Sequence, residues 1–109
     1  MKILLACLAI FLGQMITLQA KPVVHLRPNR NAITTDFGGK LLELINTPAT
    51  IYLPAIPPHG ESINHPWSVD VKNLGPGLVR IVDRREFDVR IDVGQTVHIR
   101  STGSGYAMH

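Results

Sequence analysis

The sequence predicts an all-β fold, a small antiparallel β-sandwich or meander with one long Pro-rich loop, on three observations. Apolar and polar residues alternate with period two over four segments in the second half of the chain, the pattern of an antiparallel sheet with one buried and one wet face. Outside residues 40–46, no apolar spacing of three and four survives the prolines and glycines, so no helix of useful length is expected. Short apolar or β-branched runs recur instead, divided by Pro, Gly, Asn and Asp, as strands divided by turns would be.

The first segment lies outside that fold. Lys2 precedes an apolar run from Ile3 to Ile16, and Ala20 supplies a small residue before a cleavage point. This is the layout of a secretory signal peptide over residues 1–20. The run is shorter than the roughly 20 residues of a membrane span, although Leu18 suits the second cleavage position less well than Ala, so an uncleaved anchor is the alternative. Cleavage would leave residues 21–109 as a single β domain, secreted or periplasmic, with no membrane attachment afterwards. The chain's one cysteine, Cys7, falls in the leader. The mature domain must therefore hold together by its core, without the disulfides common in small exported proteins.

Composition narrows the function. Hydrophobic residues make up 45% of the chain and charged residues 17%, which is globular and excludes disorder or a coiled coil. A formal charge of +3 for the whole chain, with no clustered basic run, does not suit nucleic acid. No Asn-x-Ser/Thr acceptor is present, because Asn46-Thr47 is followed by Pro48.

Along the domain, residues 23–26, 33–35, 41–46 and 50–53 read as strands. Residues 54–66, with four prolines and Gly60, form the long loop, since proline cannot serve a central strand. Then come the alternating segments. Trp67, Val69 and Val71 face one way, as do Val79 and Ile81, then Phe87, Val89 and Ile91, then Val97 and Ile99. Three-residue loops at Gly75-Pro76-Gly77, Arg84-Arg85-Glu86 and Val93-Gly94-Gln95 would keep those residues on one face. In that register Val71, Ile81, Val89 and Ile99 form an apolar row across four neighbouring strands, and Gly77 takes a positive φ. Trp67 is expected as core filler, while Tyr52 stands beside the long loop.

The wet face of the same register carries Lys72, Arg80, Arg90 and His98 in a row. It is a candidate anion site in which the two arginines act as bidentate donors. The plainer account is that Asp70, Asp88 and Asp92, one step diagonally along, neutralise the row. In the long loop, His59, Glu61 and His65 lie within seven residues and form a candidate zinc or copper set. Ser68, Ser101 and Ser104 sit in no nucleophile elbow. Asp36-Phe37-Gly38-Gly39-Lys40 lacks the spacing of a phosphate loop. No catalytic residue and no cofactor is expected, and the chain reads as a non-enzyme.

The succession Ile33-Thr34-Thr35-Asp36, Gly39-Lys40-Leu41-Leu42, Ile51-Tyr52-Leu53-Pro54, the Pro-rich loop, Trp67-Ser68-Val69-Asp70-Val71-Lys72-Asn73 with Gly75 and Gly77, Gly94-Gln95-Thr96-Val97, and Ser101 through Gly105-Tyr106 resembles the small all-β modules of bacteriophage tail-fibre and virion-surface proteins. In those modules an Asp-x-Gly-Lys start, a Thr-Leu-Pro strand end, an Asn-x-Gly-x-Gly strand exit and a Gly-Gln-Ser/Thr-Val strand recur. The resemblance implies a non-catalytic structural or surface-binding module, which the leader would export. Its partner would be an anionic surface glycan or another protein, with a homo-oligomer as a further option. Two departures qualify it: those modules close with an aromatic strand where Ala107-Met108-His109 stands here, and they belong to long virion proteins without export signals. The alternative is a small periplasmic or secreted ligand- or metal-binding protein.

Overall fold

The structure, a computed structural model, describes residues 21–62 and 64–108. The expected leader over residues 1–20 lies outside the described residues. Among the described residues eight strands form: β1 (Val23–Leu26), β2 (Leu41–Leu44), β3 (Thr50–Tyr52), β4 (Ser68–Asn73), β5 (Val79–Val82), β6 (Asp88–Ile91), β7 (Thr96–Ser101) and β8 (Tyr106–Met108). One 3-10 turn, at Thr35–Phe37, precedes β2. The fold is all-β, as the alternation predicts.

The strands divide into a five-stranded sheet in the order β1-β2-β4-β7-β8 and a three-stranded sheet in the order β3-β5-β6. Both sheets are mixed, which corrects the antiparallel expectation: β1 with β2, β2 with β4, and β3 with β5 run parallel. For β2 with β4 and β3 with β5 the cause is the route of the chain. It passes from the larger sheet to the smaller and back twice, so strands such as β2 and β4 return to one sheet in the same direction with β3 between them.

One core joins the two sheets. Leu42, Leu44, Val69, Val71 and Ile99 from the larger sheet and Ile51, Ile81 and Ile91 from the smaller are all at most 1% exposed and belong to a single apolar cluster. Alternation of type thus marks the inner faces correctly.

The four-strand row does not form. Ile81 stands opposite Val89, as expected, but Val71 pairs with Val97 and Ile99 with Val69. Alternation constrains which face a residue takes, and the inner faces of both sheets meet the same core. A connection can therefore cross to the facing sheet without exposing an apolar side chain. Two of the three expected hairpins do so. Between β4 and β5 the left-handed residue is Gly75, at φ 102°, rather than Gly77. Its amide donates to Asn73 Oδ1 at 2.9 Å. The Arg84-Arg85-Glu86 loop is a true hairpin, closed by the Asp83 amide on the Phe87 carbonyl at 3.1 Å and by the Phe87 amide on Asp83 Oδ1 at 2.9 Å.

Two further corrections concern short segments. Residues 33–35, expected as a strand, form none: an isolated bridge joins Ala32 to Tyr52 just before them, and the 3-10 turn begins at Thr35. Tyr106, after which no further strand is expected, begins β8 and pairs with Ser101.

Candidate functional site

The long loop and the 3-10 turn meet over Trp67. The indole is buried, and its Nε1 donates to the Thr35 carbonyl oxygen at 2.9 Å. Its ring meets Tyr106 edge-on with centroids 6.3 Å apart, so Trp67 fills the core as expected. Tyr106 in turn donates its hydroxyl to the Pro54 carbonyl at 2.6 Å, tying β8 to the start of the loop. Burial, with a smaller contribution from Asp83, pushes the Tyr106 hydroxyl up to about 12.

Within the loop the chain doubles back on itself. The Glu61 amide donates to the His65 carbonyl and the His65 amide to the Ser62 carbonyl, each at 3.1 Å. Gly60 makes this fit. A Cβ there would lie 2.1 Å from the His65 carbonyl oxygen and 2.5 Å from the Trp67 nitrogen, so the backbones touch where any side chain would stand. On the other side the Gly39 amide donates to the Ser68 carbonyl at 2.8 Å.

The result is an open cleft of about 600 Å³ whose lining includes His59, Glu61, His65, Thr35, Trp67 and Ser68. The three residues expected as a metal set are thus gathered at one cleft, and all three are exposed. Among the described residues, however, no three His, Cys, Asp or Glu side chains form a group that could hold a metal ion. The turn at 61–65 brings the backbones together without converging the side chains on one point. What the cleft presents is two imidazoles, one carboxylate and the Thr35 and Ser68 residues. That set can donate to, and accept from, a polar ligand.

The expected cationic row is divided. Arg80 and Arg90 stand opposite each other in the smaller sheet, whereas Lys72 faces Thr96 and His98 faces Asp70 in the larger. The register was derived from consecutive hairpins, and the crossings between sheets remove it. The neutralising acids take over much of the charge. Arg80 Nε donates to Asp88 Oδ1 at 3.2 Å, and a second contact joins its Nη2 to Oδ2. That pairing raises the Arg80 pKa and lowers that of Asp88.

Asp70, 8% exposed, lies 2.5 Å from Lys21 Nζ through one oxygen and 2.5 Å from His98 Nδ1 through the other. Burial pushes this carboxyl up, but the hydrogen bonds from Lys21 and His98 outweigh it and hold the group below the usual carboxylate range. Sequence reasoning did not find the Lys21 contact, because 49 residues separate the pair. Nor did it find Thr35 as a wall of the cleft. The Gly38-Gly39 pair was read only as a turn.

No protein-family model, no curated protein and no solved structure matches the chain.

Proposed function

We propose that this chain is an exported, non-catalytic surface-binding module, related in role to the phage tail modules its sequence resembles. Its ligand is an anionic glycan held in the cleft beside the long loop. The observation supporting this reading is that cleft, whose lining brings His59, Glu61 and His65 together with Thr35 and Ser68. The imidazole N–H groups donate to a sugar acid, and Glu61 accepts from ring hydroxyls. Open, polar recognition of this kind suits a glycan presented on a surface better than an enclosed small molecule.

Calorimetric titration with an acidic oligosaccharide and its neutral counterpart tests the proposal. Binding of the acidic sugar is expected, and is expected to fall at least tenfold in a His59→Ala, His65→Ala double variant. Binding kept by that variant and lost in Arg80→Ser, Arg90→Ser would remove the cleft from the function.

A further inference from the structure

We propose that β6 is the contact edge of a symmetric dimer, in which it pairs antiparallel with β6 of a second copy of this chain, centred on Val89. Among the described residues the three-stranded sheet ends at β6, which pairs only with β5. The direction of its main-chain groups follows from the neighbouring strand. The Arg80 amide donates to the Ala49 carbonyl and the Val82 carbonyl accepts from the Leu53 amide, both at 2.8 Å, so these groups of Arg80 and Val82 face β3. Antiparallel pairs alternate between hydrogen-bonded and non-hydrogen-bonded. Arg90, opposite Arg80, and Asp88, opposite Val82, accordingly turn their own N–H and C=O groups to the open edge. Four backbone groups stand ready for a strand.

Charge selects which strand. An exposed edge bearing charge ordinarily repels further pairing, but here the two exposed side chains, Asp88 and Arg90, have opposite sign, and Asp88, although it also pairs with Arg80 of its own chain, stands at the open edge. A two-fold axis makes every contact reciprocal. Centred on Val89, the ladder sets Asp88 against the partner's Arg90 and Arg90 against the partner's Asp88, with all four open backbone groups used; Glu86 then faces the partner's Asp92, but only beyond the ends of the strand. Centred on Asp88, it opposes two carboxylates. Centred on Arg90, it opposes two guanidinium groups and sets Asp88 against the partner's Asp92. On the inner face the Val89 register also places the two Val89 side chains together at the axis, extending the core across the interface. The strands ending the larger sheet lack this property. Neither β1, with Val23, Val24, His25 and Leu26, nor β8, with Tyr106, Ala107 and Met108, carries an opposite-charge pair.

Light scattering after size exclusion tests the pairing with purified protein and two charge reversals. The wild type is expected at twice the chain mass. Asp88→Arg and Arg90→Asp are each expected at the single chain mass, with an unchanged far-ultraviolet dichroism spectrum. Mixing the two variants is expected to restore the double mass, because both pairs between positions 88 and 90 across the axis are then attractive again. As a second measurement, independent of charge, Val89→Cys is expected to form an intermolecular disulfide under mild oxidation. A wild type that stays monomeric at its highest soluble concentration would overturn the proposal. So would folded single reversals that remain dimeric, a mixture that remains monomeric, or a Val89→Cys protein that does not cross-link.

Discussion

Asn73 is fully buried, and both protons of its amide are used: Nδ2 donates to the Gly77 carbonyl at 2.8 Å and to the Ile91 carbonyl at 2.9 Å. Its Oδ1 accepts from Gly75. One side chain therefore shapes the β4–β5 crossing and ties β4 to β6 in the facing sheet. Asn73→Ala is expected to lower the unfolding free energy by about 1–3 kcal/mol, the cost of leaving buried polar groups unpaired, as read by urea denaturation. Tyr106 governs the alkaline limb. Its hydroxyl titrates at about 12 in the folded protein, against about 10 in an unfolded chain, so the folded state favours the neutral form. That contribution is full below pH 10 and is lost as pH rises from 10 towards 12. Thermal melts in this range should fall steadily for the wild type and less steeply for Tyr106→Phe. Asp70 acts on the acid side with opposite sign. Its folded pKa is depressed, so its contribution is present above the unfolded value and fades as pH drops through the folded one. Asp70→Asn should be less stable at neutral pH and show a shallower acid limb in the same melts.

At the scale of the element, the β5–β6 hairpin and the long loop teach different lessons. The hairpin was legible because its determinants are local: Asp83 hydrogen-bonds the Arg85 and Phe87 amides with its own side chain, a short-range turn device. Ile81 and Val89 face each other across it. Ile81→Ala is expected to cost about 2–5 kcal/mol, the range for emptying a buried branched side chain; Val89, at the edge and 9% exposed, should cost less. The long loop was legible only as a loop. Its prolines excluded a strand, but the reversal that sets His59, Glu61 and His65 along one cleft depends on Gly60 lying against the backbone of residues 65–67, a contact that no local pattern encodes. Gly60→Ala forces that backbone apart. It should lower the melting temperature and abolish glycan binding in calorimetry while the β6 edge and its dimer persist.

For the whole molecule, the proposed export has a direct check. Expression with residues 1–20 in place should yield, outside the cytoplasm, a protein whose intact mass corresponds to residues 21–109. Cleavage after Ala20 would put Lys21, which reaches Asp70, at the new N-terminus. Recovery of the uncleaved chain in the membrane fraction would refute it. By itself the sequence determined the all-β class, the inner and outer side of the four alternating strands β4 to β7 and the position of the turns between them. Each of these follows from side-chain alternation or backbone chemistry within a few residues. The tertiary structure alone decided which strands are neighbours. Trp67, Val69 and Val71 share a buried face with Ile81 and Val89 whether a connection returns to its own sheet or crosses to the other, since both inner faces lose water to the same core. The choice is made by long-range contacts such as Asn73 with Ile91 and Tyr106 with Pro54. With it went the fate of the charged row, because Lys72, Arg80, Arg90 and His98 align only if four strands lie side by side. In the folded chain they fall on two sheets, and Arg80 and His98 meet carboxylates there.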